Sequence, residues 1–234
     1  MNELVLLGLI SFLTSTVAGV VGLGGGFLLL TILPSFIPLN ALIPLHGLVQ
    51  LVSNVSRAYF GYEHIQYRVI PKFLIGSFIG VSLFSFLLYI ISLKYIPIFI
   101  GTYILLSLWS KKFNEKIKNH ENYYIIGFLQ TGLSVIVGTT GPLTITLLLK
   151  DFQDKNKVIT TAAVLMSITH ILKIVVYFYF GFLFVDYLYT ILAMITGSII
   201  GSYFGTKIRG KIDGTRLVFV LKIFLTISAI KSLI

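Results

Sequence analysis

Two short glycine-rich breaks inside otherwise apolar sequence constrain this chain more than any other feature. The first is Gly19-Val20-Val21-Gly22-Leu23-Gly24-Gly25-Gly26, and the second is Gly138-Thr139-Thr140-Gly141-Pro142. Each follows an apolar run and precedes another, 26–37 or 142–150, that falls short of the ~20 residues a straight membrane-spanning helix needs. A chain interrupted in two matching places reads as two copies of one unit. Helices broken this way point to the substrate site in secondary transporters.

The rest of the sequence sets the solvent. Of 234 residues, 56% are hydrophobic and only 11% charged, with a mean hydropathy of +0.97. A soluble domain of this size has no way to hide so much apolar surface. The apolar segments run roughly over 4–21, 26–37, 41–60, 70–91, 95–110, 123–140, 142–150, 158–179, 187–205 and 217–233. They are continuous rather than alternating, which predicts a polytopic all-α integral membrane protein and argues against a transmembrane β-barrel. Counting only full-length spans gives seven or eight. The absence of cysteine removes disulfides, thiolate metal sites and thiol catalysis. The formal charge of +10 is read as basic loops, not as a nucleic-acid surface. Met1-Asn2-Glu3 lacks the positive leader of a signal peptide, so the first apolar run is expected to remain in the protein.

Charge then orients the segments. Loops 61–72 (Arg68, Lys72), 111–122 (Lys111, Lys112, Lys116, Lys118), 150–157 (Lys150, Lys155, Lys157) and 206–216 (Lys207, Arg209, Lys211, Arg216) all fall on one side, assigned to the cytoplasm. The intervening loops are nearly bare, which puts both termini outside a plasma membrane. The halves also align: Gly8 with Gly127, Gly19 with Gly138, Gly22 with Gly141, Ser53-Asn54-x-x-Arg57 with Thr169-His170-x-x-Lys173, and Gly76-x-x-x-Gly80 with Gly197-x-x-x-Gly201. Each half holds five segments, an odd number, so the second copy enters the membrane upside down. The expectation is a single transmembrane domain of two inverted repeats, 1–110 and 123–234, joined by a cytoplasmic linker 111–122, with broken or re-entrant helices at the glycine motifs.

The candidate chemistry lies at those breaks. A helix that starts inside the membrane leaves its first N–H groups without partners, which costs several kcal/mol per group in hydrocarbon. A bound anion accepts those hydrogen bonds and is drawn by the positive end of the helix dipole. Gly22, Gly24, Gly25 and Gly26 in the first break, and Gly138, Thr139, Thr140, Gly141 and Pro142 in the second, are therefore expected to bind substrate through backbone N–H groups, with Pro142 suited to a first helical position. The plainer alternative is that these glycines only let helices pack closely. Gln50, Ser53, Asn54, Thr169 and His170 are polar residues deep in apolar runs and complete the expected shell. Arg57 and Lys173, at equivalent positions, attract anions at the two mouths or else snorkel to the interface. His46 reads as an outer-interface residue, and His64 and His120 as loop histidines. No acid lies deep in an apolar run, which argues against a carboxylate proton relay or a cation site. Nothing reads as a nucleotide-binding loop or a catalytic constellation, so neither enzyme activity nor a cofactor is expected. His170 is the one candidate for proton coupling.

The sequence Ala18-Gly19-Val20-Val21-Gly22-Leu23-Gly24-Gly25-Gly26-Phe27-Leu28, with Gly138-Thr139-Thr140-Gly141-Pro142 in the second half, resembles the TauE/SafE family of membrane transporters, the sulfite exporters. The likeness covers essentially the whole chain. It implies an integral plasma-membrane protein that moves small sulfur-containing or carboxylate anions such as sulfite or organosulfonates. The second break departs from the first in carrying Thr139-Thr140 and Pro142 in place of a glycine run. The expected partners are thus a small anion and the lipid bilayer, with association into a homo-oligomer left open. Two competing readings remain: an anion channel of the same fold, and a non-catalytic membrane subunit or membrane enzyme.

Overall fold

The computed structural model describes residues 3–90, 93–118, 122–140, 142–212 and 214–231. Among them the regular structure is helical: α1 Glu3–Val21, α2 Gly25–Ile32, α3 Leu39–Phe60, α4 Ile70–Ile90, α5 Ile96–Trp109, α6 Lys111–Lys118, α7 Tyr123–Val137, α8 Pro142–Asp151, α9 Lys155–Tyr179, α10 Leu188–Ile208 and α11 Gly214–Lys231. The helices follow the apolar runs, and the differences have local causes. α7 stops at Val137, three residues before the expected end, because Gly138 turns to φ +81°. α9 begins at Lys155, earlier than expected, because the Asp154 side chain caps it by accepting from the Asn156 N–H at 2.8 Å. Residues 111–118, expected as linker, form a helix that turns Phe113 onto Tyr103 with ring centroids 6.3 Å apart.

Helices α2 and α8 are 8 and 10 residues long. At 1.5 Å per residue they reach about 12 and 15 Å, roughly half the hydrocarbon thickness. Among the described residues, four helical stretches are both long and apolar enough to cross a membrane: Glu3–Val21, Tyr67–Leu88, Lys155–Tyr179 and Phe184–Lys211. α3 matches them in length, but His46, Gln50, Ser53, Asn54 and Arg57 lower its hydropathy, and all five are buried inside the protein.

Packing joins the first half of the chain to the second. α1 lies along α10, α7 along α4, and α3 against α9. The first two pairs are held at close range by glycine. A Cβ on Gly197, Gly201 or Gly205 would strike the backbone carbonyls of Gly8, Phe12 or Thr16, and one on Gly76 or Gly80 would strike those of Tyr124 or Phe128. Three basic loops meet at one end of the bundle. There the Gln66 N–H donates to Thr161 Oγ1 at 3.0 Å, the Arg68 guanidinium lies 5.0 Å from the Phe152 ring centroid, and Arg209 Nη1 donates to Asn156 Oδ1 at 3.1 Å.

Candidate functional site

The first break folds as two glycine turns. α1 ends where Gly22, at φ +87°, donates its N–H to the Ala18 carbonyl, and Gly24, at φ +88°, forms the N-cap of α2. Both conformations lie in the left-handed region that only glycine adopts without strain. No side chain caps α2, and no acceptor among the described residues sits on the N–H groups of Gly25, Gly26 or Phe27. These orphan donors end beside a cavity of about 20 Å³, whose walls include the Gly22–Phe27 turn, Gln50, Asn54, Arg57, Thr139 and Met166. Gly25 and Gly26 face different ways. A Cβ on Gly25 would collide with the Thr14 carbonyl of α1, whereas one on Gly26 would meet Thr139 Oγ1 at 3.0 Å and Gln50 Oε1 at 3.3 Å.

Arg57 supplies the charge. Its side chain is 1% exposed, which rules out snorkelling. Nη1 donates to Asn54 Oδ1 at 3.2 Å and Nη2 to Ser53 Oγ at 3.3 Å, while Nε has no partner. Asn54 is itself fixed by donating Nδ2 to the Gln50 carbonyl at 2.7 Å, and Gln50 Nε2 is another buried donor without an acceptor. The groups that hold Arg57 are neutral. The described acids lie elsewhere: Glu3 at the start of α1, Glu63 and Asp186 in short helical turns, Glu115 in α6, and Asp151 and Asp154 around the α8–α9 junction. A buried charge left unpaired costs several kcal/mol, so this pocket favours an anion.

The second break is built differently. Thr144, in the first turn of α8, donates both its N–H and its hydroxyl to Gln130 Oε1 of α7. The Leu143 N–H donates to the Thr140 carbonyl at 3.2 Å, and the Thr140 hydroxyl to the Gln130 carbonyl at 2.8 Å. Gln130 Nε2 goes to Thr169 Oγ1 at 3.3 Å. The start of α8 is thus closed by the protein's own side chains. Thr139 alone of this break reaches the cavity; Gly141 lies outside the described residues, and Pro142 opens α8. Ser53 and Thr169 serve the helix packing as well. Ser53 donates to Ser15 Oγ at 2.9 Å and pairs with Ser202 Oγ at 3.2 Å, and Thr169 pairs with Thr131 Oγ1 at 3.1 Å, which donates to Ser77 Oγ at 2.8 Å.

Between the breaks lies a basic cluster. Lys173 is fully buried, not interfacial, and its Nζ donates to the Gly138 carbonyl at the C-terminal end of α7, 2.6 Å away. His46 is also fully buried, which corrects its expected place at the outer interface. Its Nε2 lies 2.9 Å from the Gly26 carbonyl, and its ring stands edge-on to His170 with centroids 6.1 Å apart. The reason is the helix face: His46, Gln50, Ser53, Asn54 and Arg57 recur every three or four residues and form one inward stripe along α3. That periodicity could have placed His46 from sequence alone, and it places Met166 on the matching stripe of α9. Gln130 and Arg209 were also missed. An amide in the middle of an apolar run was the signal for Gln130. Arg209 reads as one more loop cation, yet it is buried and donates Nε to the Gly19 carbonyl at the end of α1, 2.8 Å away.

The family model described as sulfite exporter TauE/SafE matches residues 7–232, nearly the whole chain. No curated protein and no solved structure matches it. The chain therefore belongs to the TauE/SafE sulfite exporter family and is a multi-pass membrane protein of a transporter family.

Proposed function

We propose that this protein carries small oxyanions, sulfite or organosulfonates, across the plasma membrane by alternating access. The observation that carries this reading is the Arg57 guanidinium, buried without a carboxylate beside the uncapped start of α2. An anion in the cavity would accept from the free N–H groups of Gly25, Gly26 and Phe27, from Gln50 Nε2 and from Arg57 Nε. These donors fit an oxyanion because several charge-assisted hydrogen bonds converge on one small volume. Gly22 and Gly24 shape the turn, Asn54 and Ser53 aim Arg57, and Thr139 closes the cavity from the second half. Gly138 and Thr140 hold Thr139 in place in this reading, with Thr169, His170 and Lys173 nearby; for Gly141, outside the described residues, and for Pro142, at the start of α8, the expected part in the site remains a proposal.

The moving parts in this reading are two inverted repeats, 1–110 and 123–234, joined by 111–122. Reciprocal packing supports it: α1 on α10 matches α7 on α4, and α3 on α9 lies across the local axis. α2 and α8 are then the re-entrant helices of each repeat. The clustering of the basic loops at one end supports a cytoplasmic face there and both termini outside. A cavity of about 20 Å³ holds little more than one water, so an oxyanion enters only when the walls of the cavity move apart. That occlusion favours a carrier over a channel.

Reconstitution tests this. Proteoliposomes containing the purified protein are expected to take up labelled sulfite or a labelled sulfonate saturably, with counterflow driven by unlabelled anion inside. Large single-channel currents would overturn the carrier mechanism, and the absence of uptake of every anion offered would overturn the transport reading.

A further inference from the structure

The His46–His170 pair lies outside the walls of the α2 cavity, yet it is wired to the anion's place. His46 Nε2 faces a carbonyl oxygen, Gly26 O, at 2.9 Å. A carbonyl only accepts, so Nε2 carries the hydrogen and Nδ1 holds the lone pair. That Nδ1 is buried without a partner, and so is His170 Nδ1. The two rings are T-shaped, the edge of one towards the face of the other, with centroids 6.1 Å apart. The Gly26 carbonyl belongs to the same peptide unit as the Phe27 N–H, one of the orphan donors at the start of α2. A proton on His46 would strengthen its hydrogen bond to the Gly26 oxygen, polarise that peptide, and make the Phe27 N–H a better donor to an anion.

Resting on the anion reading above, we propose that His46 and His170 form the binding site of a coupling proton, which is taken up with the anion and released with it. The charged groups acting on the pair are Lys173 from α9 and Arg57 from α3, and both are cations. α2 and α7 contribute only the carbonyls of Gly26 and Gly138. Tyr177, one turn beyond Lys173, is engaged with the Val135 carbonyl at 2.8 Å. A third positive charge here, with no carboxylate among these groups, is unfavourable until an anion arrives, and the anion binds more tightly once the proton is present. Reciprocity of that linkage makes a symporter of one proton with one anion.

Two experiments test the proposal, with sulfite and with methanesulfonate, which stays singly charged from acid to neutral pH. In the first, calorimetric titration of the wild-type protein in buffers of different ionisation heat counts protons. Uptake of up to one proton per anion bound is expected, and no uptake between pH 5 and pH 8 (on the order of the histidine range) overturns the coupling. In the second, proteoliposomes carry an internal pH dye. With an inward proton gradient the wild type should accumulate anion about tenfold per pH unit while the lumen acidifies. H46Q keeps a donor for Gly26, and H170Q keeps much of the side-chain size; in each, the protons taken up per anion bound or moved should fall towards zero, whatever affinity or rate of anion movement remains. Anion movement in the wild type without proton movement overturns the coupling and leaves the transporter intact. Retention of coupling by both variants overturns the assignment to this pair. No saturable movement of either anion overturns both.

Discussion

The two glycine breaks occupy matching places in the two halves of the chain, yet they treat the start of the following helix in opposite ways. α2 begins on bare backbone, with its first N–H groups open to a cavity and Arg57 nearby. α8 begins against Gln130, whose side-chain oxygen takes both the N–H and the hydroxyl of Thr144. Inside a membrane protein an orphan N–H is expensive, so each start needs an acceptor. The second break carries its own. We read the first as keeping its place for substrate. On this reading a recurring motif marks where a site can form, and the capping around it decides which copy is left to bind.

Breaking each half of that contrast gives opposite results. The largest effect is expected for Arg57→Gln, which should weaken anion binding about 100-fold, since losing one partner of a buried charge pair costs 2–5 kcal/mol. The anion-free protein should melt no lower than wild type, because an unpaired buried charge is gone. Thermal melting with and without sulfite checks both signs. Gly26→Ala places a methyl group against Thr139 and Gln50 and should cost about tenfold in affinity, roughly the 1.4 kcal/mol of a tight steric contact and a lost donor approach. Titration of the reconstituted protein reads it. Gln130→Leu should do the reverse, lowering stability by about 1–3 kcal/mol as Thr144 loses its acceptor, with anion affinity within a factor of about two to three. Gly138→Ala is the mildest contrast. At φ +81° and 3.0 Å from the Leu30 side chain, it should cost about 1–2 kcal/mol of stability while leaving the α2 pocket in place. If Gln130→Leu abolished binding and Arg57→Gln did not, the roles of the two breaks would be reversed.

Much of the architecture was legible because it is written in local rules. Apolar runs and glycine turns fix the helices to within a few residues, and the shortness of α2 and α8 follows from where the runs stop. The helix α6 is not legible in the sequence, where the Asn residues and charges of 111–122 read as a linker. The helix forms because Lys, Glu and Ile are compatible with it and Phe113 finds an aromatic partner. Within the candidate site, the stripe on α3 is partly legible: Gln50, Ser53, Asn54 and Arg57 stand out as polar residues in an apolar run, whereas His46 reads as an interface residue. Its burial depends on α2 folding back over α3, which no local pattern encodes. Gln130 shows the same limit. It caps a helix in the next segment, and that relation exists only once α7 and α8 have packed together. Arg209 was hidden by its company, for a basic loop gives no hint that one of its cations turns inward onto the end of α1.

The most direct measurement is to locate a heavy oxyanion. The structure of the protein equilibrated with selenite, solved with anomalous scattering from selenium, should show a single strong peak within hydrogen-bonding distance of the Gly25–Phe27 N–H groups and the Arg57 guanidinium, lost in Arg57→Gln. A peak at the start of α8, or no peak in the bundle at concentrations that saturate transport, would contradict the assignment of the anion to the uncapped helix.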